Sequence, residues 1–309
     1  MARHAFLIAA HDTPYVLERL MRLLDDERND LYLHIDAKAR GLDAGAFARL
    51  CRRSRVIVMP RRKVYWGEYS QVESALRMMR SALERGDYAY LHHLSGSDLP
   101  LKSNDEIHRF FGENAGREFV SFYEYSASKH ERAKYWYPYY RFLRSPNRLV
   151  RAVDRVGRNG AIAAQRLVRS DRTRRFGVDV KTGSDWYSIS AALASHLIDS
   201  EPAIRRWFKV SFSPSEFYVQ TAVWNSDFRT RVFDYDDPCR GNARLIDFER
   251  GEGSSPLTWR QEHLPELLES EAIFARKFDP EVDQEVIERV VAHVRAAASR
   301  QRRAEDLSP

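Results

Sequence analysis

The sequence contains only two cysteines, Cys51 and Cys239, among 309 residues. Two thiols are too few for a disulfide framework or a cysteine-based zinc site, so the sequence favours a reducing compartment, with a single bridge left open. No apolar run is long enough to cross a bilayer. The stretch "MARHAFLIAAHDTP" is interrupted by His11, Asp12 and Pro14 before it could act as a signal sequence. These absences predict a cytoplasmic protein.

Two glycine-rich phosphate-binding motifs are also missing. No G-x-G-x-x-G follows the first predicted strand, and G-x-x-x-x-G-K-[ST] occurs nowhere in the chain. The phosphate sites of NAD enzymes and of P-loop proteins depend on those glycines. A nucleotide diphosphate bound by this chain must therefore be neutralised by other groups.

The charge of the chain is basic and unevenly distributed. A formal net charge of +6 and a pI of about 9.3 permit attraction to nucleotide phosphates, nucleic acid or anionic lipid. Residues 129–176 concentrate Lys and Arg against few acids. A solvated helical face is the simpler interpretation of this segment. A patch that meets a membrane surface or an anionic acceptor is the alternative.

Strand and helix patterns alternate over residues 1–125, which predicts an α/β fold with an open, mainly parallel sheet of the Rossmann type. The predicted strands are 4–10, 31–36, 56–59, 88–94 and 118–123, and the predicted helices are 14–24, 70–86 and 104–111. Such sheets bind ligands beyond the carboxyl ends of their strands. Residues 1–125 are therefore interpreted as a nucleotide-binding half.

The regular alternation of strand and helix patterns does not continue in the rest of the chain. Residues 126–180 predict a helical, basic insertion, with two helical patterns around a "GRNG" turn at 157–160. Residues 181–309 predict a short strand and a capped helix, a proline-initiated helix at 213–228 and a terminal helix at 280–303. Because no repeat or low-complexity linker separates the parts, residues 1–309 are interpreted as a single domain.

Polar and aromatic residues gather at the predicted strand ends. A carboxylate can accept a hydrogen bond from a ribose hydroxyl, and an aromatic ring can stack on a base. The candidates for a nucleoside site are His11, Asp36, Tyr65 and Trp66, followed by Ser95 to Asp98. For any one of them alone, capping of a turn or ordinary packing is the simpler role.

A metal site of the D-x-D type is not expected. Enzymes of this architecture that use nucleotide sugars commonly place D-x-D near the fourth strand, where this chain reads Ser97-Asp98-Leu99. A literal D-x-D occurs as Asp234-Tyr235-Asp236, but it lies beside Pro238 and is interpreted as a solvated turn. Asp98 is expected to shape a turn rather than to bind metal.

Blocks of sequence in a fixed order carry a family resemblance. "VYWGEYSQVESAL", "LSGSDLPLKS", "SPSEFYVQTAVWNS", "ARLIDF" and "FARKFD" resemble the core-2/I-branching β-1,6-N-acetylglucosaminyltransferase family, which also includes peptide O-xylosyltransferases. The resemblance spans roughly residues 4 to 280 and is weakest at 126–180. It implies a GT-A-like fold that works without a metal or other cofactor and inverts the configuration at the anomeric carbon of the sugar.

The resemblance also implies roles for individual residues. Glu216 in "SPSEFYVQ" matches the catalytic base, although Ser215 stands where the family usually has a second acid. Arg244 and Lys277 match the basic residues that bind the donor diphosphate in place of metal. The other matches are Asp36 with Tyr65 or Trp66 at the nucleoside, Ser95 and Asp98 at the donor sugar, and Trp186 as a stacking platform for the acceptor.

The resulting expectation is transfer of N-acetylglucosamine from UDP-N-acetylglucosamine to a glycan hydroxyl in β-1,6 linkage. The same fold using UDP-xylose is the nearest alternative. A basic protein that binds nucleic acid or membrane is the alternative from another class, although nucleic acid is not the expected partner. The few cysteines suggest a bacterial member of the family. Residues 129–176 would then approach an anionic or lipid-linked glycan acceptor, with peripheral contact at the inner membrane as a hypothesis.

Overall fold

The computed structural model describes residues 2–124, 126–138, 142, 145, 147–253 and 255–306, the last five by their backbone alone. The strands in this part of the chain are β1 (His4–Ala10), β2 (Asn29–Ile35), β3 (Arg55–Val58), β4 (Tyr90–Ser95), β5 (Asp98–Pro100), β6 (Ser188–Ser190), β7 (Arg244–Ile246) and β8 (Phe274–Arg276). The helices are α1 (Pro14–Leu23), α2 (Ala44–Ala48), α3 (Ser70–Leu83), α4 (Asn104–Glu113), α5 (Ala127–Lys134), α6 (Arg148–Leu167), α7 (Ala191–Asp199), α8 (Glu201–Phe208), α9 (Tyr218–Trp224), α10 (Pro238–Asn242), α11 (Leu264–Glu269) and α12 (Gln284–Asp306).

The main sheet has the strand order β3-β2-β1-β4-β6. β1 pairs in parallel with both β2 and β4, and β3 pairs in parallel with β2, while the short β6 lies antiparallel to β4. Alternate residues of β1 point into two separate apolar clusters, with Phe6 and Ile8 on one face and Ala5 and Leu7 on the other. A parallel sheet covered on both faces needs such continuous apolar strands. The predicted α/β class is confirmed.

A second, smaller sheet has the order β5-β8-β7. β5 and β8 are antiparallel and place Asp98 opposite Arg276, while β7 and β8 are parallel and place Arg244 opposite Phe274. These strands of three residues were not predicted, because so short a segment carries too little alternation to show a period of two. The small sheet begins one turn after β4 and so lies beside the carboxyl end of the main sheet.

Local sequence explains where the predicted helices begin. Pro14 occupies the first turn of α1, where its missing N–H costs nothing. Ser103 and Glu106 form a reciprocal capping box at the start of α4. Ser190 caps α7 by accepting from the backbone N–H of Leu193. These helices are confirmed.

Three details of the predicted secondary structure are wrong. Residues 118–123 form no strand, because their pairings are single bridges from Glu118, Phe119 and Tyr123 to three separate parts of the chain. The "GRNG" segment at 157–160 is not a turn, since α6 runs through it without interruption. The third error concerns residues 213–228, where a short 3₁₀ helix over Pro214–Glu216 precedes the α-helix.

Among the described residues, no helix combines the length and apolarity needed to cross a bilayer.

Candidate functional site

A cavity of about 1400 Å³ opens at the carboxyl ends of β1, β2 and β4. This is the edge at which parallel α/β sheets bind their ligands. The predicted site residues that line it are His11, Asp36, Tyr65, Trp66, Ser95, Trp186, Glu216 and Lys277. The structure thus brings together residues that are up to 266 positions apart in the numbering of the chain, from His11 to Lys277.

The predicted nucleoside end of the cavity is organised around Asp36. One oxygen of its carboxylate accepts from the backbone N–H of Lys38 at 2.8 Å, and the other lies 2.9 Å from the Lys38 ammonium. The same ammonium stands 4.5 Å from the centre of the Tyr65 ring. Trp66 meets Phe212 edge to face, with the ring centres 5.6 Å apart. An acid, a cation and aromatic rings therefore share this wall of the cavity.

Asp98 lies behind the cavity wall rather than in it. Its carboxylate accepts from the backbone N–H and the hydroxyl of Ser95, both at 2.8 Å, and from Arg276 Nη1 at 2.7 Å. Asp98 is 2% exposed and is not among the described residues that line the cavity, whereas Ser95 and Arg276 are. Asp98 therefore fixes the turn after β4, as expected, and also fixes a guanidinium at the cavity surface.

Arg276 is a cavity residue that was not predicted from the sequence. Its guanidinium carbon lies 4.3 Å from the centre of the Trp186 ring, and its Nη1 also donates to Ser95 Oγ. The adjacent Lys277 lines the cavity as well. The sequence feature that could have identified Arg276 is the pair of adjacent basic residues in the "FARKFD" block.

The structure does not bring Arg244 to the cavity. The residue is 2% exposed, and its guanidinium donates to the backbone carbonyls of Asn242, His93 and Tyr187. Burial lowers the pKa of Arg244 to about 9. Arg244 is therefore a buried residue that links β7 to the ends of β4 and β6 through hydrogen bonds. In this position its guanidinium does not face the cavity, where a donor diphosphate is expected to bind.

Glu216 ends the 3₁₀ helix that precedes α9 and faces the cavity with its side chain 29% exposed. One carboxylate oxygen lies 2.6 Å from Arg132 Nη2, on α5. The carbonyl of Glu216 accepts from the backbone N–H of Gly183 at 2.9 Å. This bond ties the predicted base to the segment that carries the next carboxyl group.

That carboxyl group belongs to Asp185, a second cavity residue that sequence reasoning passed over. Removal from water and the negative charge of Glu216 raise the pKa of Asp185 to about 7. Its Oδ1 is buried and has no hydrogen-bond partner among the described residues. Asp185 also lines the cavity, so the site presents a second carboxyl group beside Glu216. "GSDWYSIS" contained the signal, because the acid precedes the predicted platform Trp186.

Trp186 lies between aromatic and cationic neighbours at the cavity surface. Its ring stacks on His93 with the ring centres 5.0 Å apart, and the Arg276 guanidinium carbon lies 4.3 Å from the centre of the same ring. Burial lowers the pKa of His93 to about 4, so this imidazole is neutral at pH 7. The stack holds the indole in one orientation beside the two carboxyl groups.

The literal D-x-D segment forms a turn, as expected. Asp234 Oδ1 accepts from the backbone N–H groups of Asp236 at 2.9 Å and Asp237 at 3.0 Å. Within the part of the chain that the structure describes, no three or more His, Cys, Asp or Glu side chains form a group that could hold a metal ion. Independence of metal stays a prediction.

Comparisons with known proteins agree on one family. Residues 4–261 match the family model described as Core-2/I-Branching enzyme. Xylosyltransferase 2 of Rattus norvegicus is 23% identical over 311 residues, covering 95% of this chain and 34% of that protein. Xylosyltransferase sqv-6 of Caenorhabditis elegans is 25% identical over 285 residues, covering 83% of this chain and 32% of that protein. This chain thus spans about a third of the length of these curated relatives.

Among solved structures, the crystal structure of mouse xyloside xylosyltransferase 1 in its apo form is similar to this chain with a TM-score of 0.37 and 12% identity. The alignment covers 89% of this chain and 97% of that chain.

Proposed function

This chain belongs to the Core-2/I-branching enzyme family, and on that premise we propose that it is an inverting glycosyltransferase that moves a sugar from a UDP-sugar to a hydroxyl group of a glycan. One observation carries the proposal. The cavity at the strand ends is lined both by the cations Arg276 and Lys277 and by the carboxyl groups of Glu216 and Asp185. Sugar transfer from a nucleotide diphosphate needs both kinds of group.

The nucleoside of the donor is proposed to lie against the wall made by Asp36 and Tyr65. Asp36 is held by Lys38, so its carboxylate is fixed in place before a ligand arrives. A fixed carboxylate can accept from a ribose hydroxyl or a base N–H, and the aromatic ring can cover the base.

The diphosphate is proposed to lie against Arg276 and Lys277. As the bond between the anomeric carbon and the phosphate oxygen breaks, its electron pair goes to the departing UDP, whose negative charge increases. A guanidinium and an ammonium that are already in position stabilise this charge. Asp98 supports the arrangement because it holds Arg276 at 2.7 Å. These side chains would act in place of a divalent metal.

Glu216 is proposed as the general base. The acceptor oxygen forms a bond to the anomeric carbon and transfers its proton to the Glu216 carboxylate, a step that passes through oxocarbenium-like charge on the sugar. The Arg132 guanidinium, 2.6 Å from Glu216, orients the carboxylate. Asp185 and Trp186, which also line the cavity, would contact the same acceptor.

Two donors are proposed. N-acetylglucosamine from UDP-N-acetylglucosamine, in β-1,6 linkage, follows from the name of the family with which the sequence blocks agree. Xylose from UDP-xylose is the second candidate, and it is favoured by the names of the similar curated proteins, which are xylosyltransferases. Both donors share the UDP group, so the same cavity serves either proposal.

A thermal-shift panel tests the proposal, since a ligand that binds the native state raises the melting temperature by mass action. The panel contains UDP, UDP-N-acetylglucosamine, UDP-xylose and UDP-glucose, each with Mn²⁺ and with EDTA. Stabilisation by UDP compounds that persists in EDTA is expected, and the largest shift identifies the donor. No shift with any of them, together with salt-sensitive stabilisation by RNA, would favour a basic nucleic-acid-binding protein instead.

A further inference from the structure

One face of α6 is apolar and open to solvent. Leu149, Val153, Val156 and Leu167 are between 72% and 85% exposed. At about 100° per residue, these positions fall in one stripe along the helix. Among the other large exposed apolar side chains of the described residues, only Val168, which follows the last residue of α6, is more than half exposed. An apolar stripe of this length marks a surface that another molecule covers.

The flank of this stripe is cationic. Arg148, Arg155 and Arg166 lie about 100–120° from Leu149 on the same side of the helix. Among the described residues, Arg148 and Arg155 make no ion pair. The acids nearby are already engaged, because Asp154 is 4% exposed and pairs with Arg158, and Glu131 pairs with Arg166. The surface around the stripe is therefore positive.

This combination identifies the occupant by its chemistry. A helix with an apolar stripe and a basic flank lies in the plane of a membrane interface, with the stripe among the acyl chains and the cations at anionic headgroups. Nucleic acid would meet the arginines but leave the apolar stripe in water. We propose that α6 docks on an anionic phospholipid bilayer, along its whole length of about 30 Å.

The docking face is attached to the proposed acceptor side of the cavity. α5 contributes Ser128, Lys129 and Arg132 to the cavity lining. α6 is fastened to α5 by the ion pair between Arg166 and Glu131. Gln165 of α6 adds two hydrogen bonds of 2.8 Å to the backbone of Trp136, just after α5. A bilayer under α6 is therefore held at a fixed position relative to Arg132 and its partner Glu216.

This relationship specifies the acceptor class. If the proposed sugar transfer is correct, the acceptor is a glycan anchored in the membrane by a lipid, because docking would bring such a glycan to the cavity without diffusion through bulk water. The inference about the acceptor rests on the proposed function. The docking of α6 on a bilayer is independent of the proposed function.

Co-sedimentation with vesicles tests the docking. The protein is mixed with vesicles of phosphatidylcholine alone and with vesicles containing phosphatidylglycerol, at low and high salt. Binding to the anionic vesicles at low salt is expected. The double variant Val153→Glu with Val156→Glu is expected to weaken the partition coefficient at least tenfold, and Arg148→Gln with Arg155→Gln to weaken it severalfold and reduce its salt dependence.

Matched controls separate the stripe from general surface effects. Val58→Glu changes a 43% exposed valine on the edge strand β3. Arg49→Gln with Arg85→Gln removes two exposed arginines outside residues 126–176. Both controls are expected to bind vesicles like the wild type. Melting temperature and its increase with UDP are measured for every variant, so loss of folding and failure of the proposed donor site are each seen independently of vesicle binding.

Three results would overturn the docking proposal. The first is equal binding of the wild type and the α6 variants to anionic vesicles, and the second is no binding to either vesicle type. The third is a dimer in sedimentation velocity that Val153→Glu with Val156→Glu dissociates, because a second copy would then cover the stripe.

Discussion

Arg276 and Asp98 occupy opposed positions on two antiparallel strands, and Arg276 Nη1 lies 2.7 Å from Asp98 Oδ1. The carboxylate is almost completely buried, whereas the guanidinium reaches the cavity surface over the Trp186 ring. A buried acid thus fixes the direction of a cation that a ligand can meet. In the proposed diphosphate site, Asp98 would therefore act through this salt bridge rather than through a metal ion.

The contrast between two arginines gives the first prediction. Arg276→Gln is expected to weaken UDP binding about 10- to 100-fold, because a charge-assisted contact to the diphosphate is lost. Its melting temperature should also fall, because the buried Asp98 carboxylate loses its cationic partner. Arg244→Gln should lower the free energy of unfolding by about 2 kcal/mol or more, because buried backbone carbonyls lose their donor, but should leave UDP affinity of the folded protein unchanged. Isothermal titration with UDP and urea unfolding measure the two effects. Equal loss of UDP affinity without loss of stability in Arg244→Gln would contradict the placement of that residue.

Replacement of the proposed base gives the second prediction. Glu216→Gln keeps the shape of the side chain but cannot take the acceptor proton, so kcat is expected to fall about 10²- to 10⁴-fold while UDP affinity stays unchanged. The measurement is sugar transfer to a membrane-extracted glycan fraction. Glu281→Gln, which changes an exposed acid two residues after the cavity residue Asp279, serves as the control. Wild-type kcat in Glu216→Gln would exclude it as the base.

The carboxyl pair predicts a specific dependence of stability on pH. The pKa of Asp185 is raised to about 7 in the folded protein, above its value in the unfolded chain. Between about pH 4 and pH 7 the folded state therefore holds this proton more tightly, and the Asp185 contribution to the free energy of unfolding falls as the pH rises. Asp185→Asn removes the effect.

Urea unfolding of wild type and Asp185→Asn across this pH range measures the difference. From pH 5 to pH 8, the free energy of unfolding of the variant is expected to gain at least about 1 kcal/mol relative to wild type. A difference that stays constant over the range would mean that Asp185 keeps an ordinary pKa.

Two glycines give the fourth prediction. A Cβ atom at Gly183 would stand 1.9 Å from the Ser121 carbonyl oxygen, whereas a Cβ at Gly160 in α6 would meet nothing within 4 Å. Gly183→Ala is expected to destabilise the protein by about 3 kcal/mol or more and to displace the neighbouring Asp185. Gly160→Ala should stabilise it by about 0.5–1 kcal/mol through helix propensity. Thermal unfolding compares the pair, and a tolerated Gly183→Ala would show that the segment before Asp185 can move.

Long periodic segments made the main sheet and most helices predictable from the sequence. β1, β2 and β4 are mostly buried strands of six or seven residues, and α3 and α4 carry clear helical periodicity. α6 was divided in prediction because Gly157 and Gly160 are typical of turns. Inside an exposed helix each costs only about 1 kcal/mol, which the rest of the helix outweighs.

The kinds of residue that line the site could be predicted from the sequence, but which residue of each kind faces the cavity was harder to predict. The strand-end residues meet in one cavity, as expected, because carboxyl ends of parallel strands share an edge. The choice between Arg244 and Arg276 was not predictable. Both lie in strands of three residues, where a shift of one position turns a side chain to the opposite face. Only the pairing of β5, β7 and β8 decides which arginine reaches the cavity.

If side-chain cations of this cavity bind a nucleotide diphosphate without metal, a crystal structure of the protein with UDP, grown in EDTA, will show it. We expect the diphosphate to lie against Arg276 and Lys277 and the nucleoside to lie beside Asp36. UDP bound outside this cavity, or bound only when Mn²⁺ replaces EDTA, would contradict it.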